Sequence, residues 1–215
     1  MVDLRIALFG SIFLVFNLAN ALNITILQPN VPFAPSPLPP SHAQSDGEAI
    51  ISLFQELGRT TIWKSIANIS FEGDTYEPEG IVRLGPNRYI VSAGEYTAAT
   101  VPYNKTINGT DRSPGAGFAL LIVFDGEGGR IADATLTELG ADEYHNGGID
   151  FDGSVIWGAI AQYRPNSTAY IYKADPSTLV PEKVVEYQDH LGGVVHDVQG
   201  GSNTALNWGS RNAST

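Results

Sequence analysis

The sequence contains no cysteine, which excludes a disulfide framework and leaves stability to a packed core. Basic residues are scarce: 12 Lys and Arg stand against 23 Asp and Glu, for a net charge of −11. A surface of that sign repels phosphate backbones and anionic bilayers, so nucleic acid and membranes are not expected partners. The signatures of several enzyme classes are also missing. There is no G-x-S-x-G, no H-E-x-x-H and no cysteine set for zinc. The glycines of "DGEGGR" (125–130) have no parallel strand before them and no helix after, so they read as a hairpin turn and not as a dinucleotide loop. The longest predominantly apolar run, Ile6 to Leu18, is shorter than the roughly 20 residues a membrane span needs.

That run has a different meaning. Arg5 precedes it and Ala19-Asn20-Ala21 follows as a small-x-small site, the pattern of a cleaved secretory signal over residues 1–21. Six N-x-[ST] sequons point the same way, at Asn23, Asn68, Asn104, Asn108, Asn166 and Asn212, so a secreted, extracellular glycoprotein is expected. Residues 22–44 are proline-rich and aperiodic, which suits an extended linker. Residues 45–58 read as a helix: Ser45 caps, Glu48 completes a capping box, and Ile50, Leu53, Phe54 and Leu57 form one apolar stripe before Gly58. Packing of that stripe against a larger domain is the expectation.

From residue 59 to 215 the period becomes strand-like. "GGIDF", Asp152-Gly153, "SVIWGAIAQY", "TAYIYKA" and "EKVVEYQ" give four successive strands from Gly147 to Gln188. An earlier unit aligns on Gly80: "EGIVRL", "RYIVSAGEY", an excursion from Thr97 to Gly117, "FALLIVF" and "RIADATL". A third begins at Gly193 and stops after its second strand. Gly148 and Gly193 are 45 residues apart and Gly80 and Gly148 are 68 apart, the excursion accounting for the difference. Four-strand units at this spacing are the signature of propeller blades. The expected fold is thus all-β, with propeller-type four-stranded blades and an N-terminal helix. "TTIWKSIANISF" would be the outer strand of a further blade. About two and a half blades leave an open edge, so a shortened form of a longer protein is expected.

Aligning the units on Gly80, Gly148 and Gly193 places Glu77, His145 and His190 at one equivalent position, in the crossovers where loops converge near the axis. As a mixed imidazole and carboxylate set these three would suit a divalent Zn, Fe or Mn ion; a histidine could instead act as a general base, or simply cap a strand end. Glu79 stands where the other units have glycine. Tyr96 and Tyr163, after Glu95 and Gln162, end matching second strands and would form either an aromatic sugar-binding lip or strand-end packing. His196-Asp197 is a second base candidate, more simply read as turn chemistry, as are Asp150 and Asp152.

The run "EGDTYEPEGIVRLGPNRYIVSAGEYTAATVPY", with "YHNGGIDFDG", "IAQYRPNSTA", "DHLGGVVHD" and "NWGSRN", resembles a family of secreted, mostly fungal proteins of unknown function that are expected to form propellers. The resemblance covers about residues 60–213 and carries no catalytic assignment. Members of that family continue beyond the "WGSR" segment, which fits the shortened-chain expectation. "EPEGIVRLGPNRYIVSA" is also similar to the first strand pair of calcium-dependent propeller lactonases, and that likeness implies Glu79 as a metal ligand. The expected function is binding of a small or saccharide extracellular ligand at the channel mouth, with hydrolysis or isomerisation as its chemistry. A non-catalytic binding or scaffold module and an inactive shortened product are the alternatives.

Overall fold

The computed structural model describes residues 23–41, 47–197 and 202–207. The expected signal segment, Ser45 and Asn212 lie outside them. The chain opens with β1 (Asn23–Ile26) and α1 (Gly47–Gln55). A first unit follows: β2 (Glu77–Arg83), β3 (Arg88–Ala98), β4 (Pro102–Ile107), β5 (Thr110–Arg112), β6 (Ala116–Asp125) and β7 (Arg130–Thr135). The second unit has β8 (His145–Asn146), β9 (Asp150–Phe151), β10 (Ile156–Ala161), β11 (Ala169–Ala174) and β12 (Pro181–Tyr187). The hairpin β13 (Leu191–Asp197) and β14 (Ser202–Asn207) completes the described chain.

These strands form antiparallel sheets stacked in the manner of propeller blades, with no closed barrel among the described residues. The first sheet runs β1-β7-β6-β3-β2, and the second runs β12-β11-β10-β8, with β9 also on β10. Both faces of the first sheet are covered, which explains the unbroken apolar run of β6. Successive side chains of a strand point to opposite faces. Ala119, Leu121 and Val123 therefore enter the core shared with Ile149, Ile156 and Ile160 of the second unit. Leu120, Ile122 and Phe124 face the other way, under Phe71 and Tyr76. A smaller core joins Ala159, Ala161 and Ile171 to Leu191 and Val194 of the third unit.

The aligned glycines meet where the three units crowd together. A Cβ on Gly80 would stand 2.7 Å from Ile149 N and 2.9 Å from Gly148 Cα, and one on Gly193 would stand 3.1 Å from Gly148 N. Gly148 and Gly193 also form a parallel bridge. Only residues without side chains permit so close an approach of backbones. The 97–117 excursion contains the β4–β5 hairpin, turned by Asn108 (φ 49°) and Gly109 (φ 81°), the left-handed pair that a two-residue hairpin needs.

Three elements differ from the sequence expectation. The proline-rich segment is extended but not free: β1 pairs with the outer edge of β7, Ala34 is buried, and Val31, Phe33 and Leu38 pack on the main core. Its apolar residues are too widely spaced to announce an element, yet they match a surface already made. "TTIWKSIANISF" forms no strand, and Ile62, Trp63 and Ile66 are exposed. A strand needs a partner edge, and that of β7 is taken by β1. Finally, Ile51, Leu53, Phe54 and Leu57 of the helical region are exposed and do not pack on the domain.

Candidate functional site

Antiparallel pairing brings the start of each inner strand to the same sheet end as the finish of its neighbour. Glu77 and Glu79 open β2, while Glu95 and Tyr96 lie near the end of β3. In the second unit Tyr144 and His145 lie at β8, and Gln162 and Tyr163 follow β10 directly; in the third, His190 immediately precedes β13. One end of the stacked sheets thus collects all these side chains.

The rings converge there. His145 and His190 have centroids 5.1 Å apart, His145 and Tyr163 5.0 Å, and Tyr163 and His190 6.2 Å. Tyr96 lies 6.3 Å from Tyr163 and 5.1 Å from Tyr144, whose hydroxyl donates to Pro114 O at 3.1 Å. His145 is 6% and His190 4% exposed, so both imidazoles are buried within this ring cluster.

A β-bulge explains why Glu79 and not Glu77 reaches His145. The β2–β3 register slips between Pro78 and Gly80, leaving Glu79 without a cross-strand partner. Such a bulge re-aims a side chain. Glu79 Oε1 lies 3.3 Å from His145 Nε2. The same slip occurs in β13 between Leu191 and Gly193, and the inner strand of the second unit is interrupted at Gly147 and Gly148. At the corresponding positions those units have Gly147 and Gly192, and a Cβ on Gly147 would collide with the Gly192 carbonyl. The bulge accommodates a side chain only in the first unit, and there it is a carboxylate.

Hydrogen bonding fixes the imidazole tautomers. His190 Nδ1 is 2.7 Å from Gln162 O, which only accepts, so Nδ1 carries the hydrogen. His145 presents Nε2 to the Glu79 carboxylate, so its neutral form carries hydrogen on Nε2; its Nδ1 is buried and has no protein hydrogen-bond partner. Burial pushes the His145 pKa down, His190 adds to this, and Glu79 opposes it. Burial, then Glu79 and Glu95, pushes the Glu77 carboxyl up. Burial, then Glu77 and Tyr163, raises Tyr96.

The depressed His145 pKa makes an expectation for stability. The unfolded chain takes up a proton near pH 6.5, before the folded chain does. The His145 contribution is therefore complete above about pH 6.5 and falls as pH drops toward its lower folded value. Glu77 works in the opposite sense, so the His145 share is isolated by comparison with His145→Gln. The loss of thermal midpoint between about pH 8 and pH 5 should be smaller in the variant than in the parent. Equal losses would show that His145 is not the group responsible.

This sheet end therefore unites His145 with His190 and Tyr163 with both; Glu79 meets His145, and Tyr96 meets Tyr163. Glu77 lies in the same acidic surround but does not pair with either histidine. Among the described residues no group of three or more His, Asp or Glu is arranged to hold a metal ion. His196 is elsewhere, at the opposite end of β13: its ring stacks on Trp157 at 5.2 Å and 2°, and its backbone N–H donates to Asp150 Oδ2 at 2.8 Å. Asp152 is a turn residue, accepting from the Ser154 and Val155 amides and from the Trp157 indole. The sequons at Asn104, Asn108 and Asn166 are exposed, and Asn166 Nδ2 donates to Gly109 O at 2.7 Å, joining the β4–β5 hairpin to the loop after β10. Asn23 and Asn68 are exposed as well.

Sequence reasoning missed Asn146 and Tyr144. Asn146 donates to Leu120 O at 2.7 Å and accepts from the buried Tyr172 hydroxyl at 3.0 Å, tying β8 beside His145 to the neighbouring sheet. Tyr144 fills the space over Gly117, where a Cβ would meet its ring. A polar residue beside a glycine pair is the only local signal for Asn146, and nothing in the sequence distinguishes Tyr144 from a core tyrosine.

Fold and site together define an all-β protein with blade-like sheets and a cluster of histidine and tyrosine rings at one sheet end. A family of unknown function (DUF6454) matches residues 39–215, and the chain belongs to it. No curated protein and no solved structure matches.

Proposed function

We propose that the mouth is a ligand site for a small or saccharide molecule, on a secreted glycoprotein. The observation that carries this reading is the meeting of Tyr96 and Tyr163, ends of corresponding strands in adjacent units, at 6.3 Å and 87° beside two buried histidines. Perpendicular rings give a sugar an apolar face to stack on, and Glu77, Glu79 and Glu95 supply acceptors for its hydroxyls. The exposed sequons beside the mouth would add glycans to its rim and favour small or flexible ligands.

The Glu79–His145 pair favours acid–base chemistry as a second reading. Burial keeps His145 neutral with its Nε2–H on Glu79, and since its Nδ1 is buried, the partly exposed Glu79 carboxylate is the group of the pair placed to exchange a proton with a bound molecule. This would serve hydrolysis or isomerisation of the bound molecule.

Titration calorimetry with a set of short neutral oligosaccharides tests the binding reading. Tyr163→Ala should weaken binding roughly tenfold or more. Its thermal midpoint should stay close to that of the parent, since Tyr163 is only half-buried. Unchanged affinity in Tyr163→Ala and in Tyr96→Ala would refute the reading.

A further inference from the structure

The apolar face of the first sheet that turns away from the second unit is only partly covered. Residues 71–76 cross it, with Phe71 packed at 4.6 Å on Phe124 and 5.7 Å edge-on to Tyr89, and Tyr76 meeting Phe118 at 6.0 Å. Between this crossing and the edge strand β2 a groove of about 290 Å³ stays open. Phe71, Pro78, Ile81 and Val91 give it apolar walls, and Thr75 and Glu79 are its polar side chains. Ile81 and Val91 are cross-strand partners, and the contacts of Phe71 fix its ring, so the groove is preformed.

The β2 bulge that turns Glu79 toward His145 also places it in this groove. His145 Nε2 holds one carboxylate oxygen at 3.3 Å, while the Glu79 side chain stays 37% exposed. A carboxylate has two oxygens and accepts several hydrogen bonds, so acceptor capacity remains for a ligand. The Thr75 hydroxyl makes no hydrogen bond to the described residues. A group that satisfies both must donate to Glu79 and accept from Thr75, and a neutral hydroxyl does both. An ammonium offers Thr75 no lone pair. A carboxylate offers Glu79 no proton. The volume lies near the lower end of ligand pockets, which suits a molecule of about one ring.

We propose that this groove is a binding site for a small neutral molecule with an apolar ring and one hydroxyl, a single-ring phenol. The ring packs among Phe71, Ile81 and Val91, and its hydroxyl bridges Glu79 and Thr75. The site is separate from the Tyr96–Tyr163 corner. Glu79 alone belongs to both, so neither reading depends on the other. A bound phenol would set an O–H against the carboxylate that the buried His145 anchors.

The experiment is a saturation-transfer NMR titration of the full chain with para-cresol, toluene and para-toluate at about pH 7, where a phenol is neutral. The three share one tolyl group and differ in carrying a hydroxyl, a hydrogen or a carboxylate. Para-cresol should bind roughly tenfold more tightly than toluene, and para-toluate should not bind. In Glu79→Gln the side-chain oxygen can still accept from His145, which leaves an amide NH₂ toward the groove, and the cresol-to-toluene ratio should fall toward one. Ile81→Asp puts a charge in the wall at an exposed position and should abolish cresol binding. Equal binding of para-cresol and toluene, or a ratio that survives in Glu79→Gln, would overturn the role given to Glu79. Binding of none of the three, or cresol affinity unchanged in Ile81→Asp, would overturn the site. Light scattering covers the remaining occupant: a dimer of the parent that Ile81→Asp converts to monomer would assign the groove to a second copy and overturn the proposal.

Discussion

Gly147→Ala should lower stability by about 3 kcal/mol or more, a large effect for one methyl group. The new Cβ would be driven into the carbonyl of Gly192 in the next unit, and that obstacle is backbone, which cannot swing aside as a side chain can. For a chain of this size such a loss corresponds to a fall in thermal midpoint of roughly 6–12 °C. Gly58→Ala is the matched control. No heavy atom lies within 4 Å of a Cβ built there, so the same change should be close to neutral. Thermal denaturation of both variants checks the expectation. Equal midpoints would mean that the inner strands are not as closely apposed as the glycine contacts require.

Asn146→Leu should cost about 3 kcal/mol for a different reason. Asn146 and Tyr172 are both fully buried, and the amide is the partner of the Tyr172 hydroxyl as well as a donor to Leu120 O. Leucine fills a similar volume but leaves that hydroxyl buried without its partner. Removing the stranded group should therefore restore part of the loss: Asn146→Leu/Tyr172→Phe should be more stable than Asn146→Leu alone. Urea denaturation of the two single variants and the double variant measures the coupling, expected at about 1–2 kcal/mol. Strict additivity would show that the two side chains do not depend on each other. Since Asn146 adjoins His145, the same single variant should also disturb the ring cluster at this sheet end.

The strands of the first two units were legible in the sequence because their signal is local. Alternation, β-branched residues and a turn pair such as Asp152-Gly153 act over a few residues, and nothing distant overrides them. The aligned glycines were legible for a related reason: three units stacked in one way impose the same backbone approach three times. Equivalent placement also carried His145, His190, Tyr96 and Tyr163 to one end of the sheets, as strand direction alone requires. What the tertiary structure decided was pairing. Sequence alignment put Glu77 with the histidines, but the bulge at Glu79 redirected the carboxylate that reaches His145, and a one-residue slip in a ladder leaves little mark on composition. The docking of β1 and Ala34 and the missing strand at "TTIWKSIANISF" turned on which sheet edge was already occupied. An edge is filled by competition between segments far apart in the chain, and no local pattern records which of them wins.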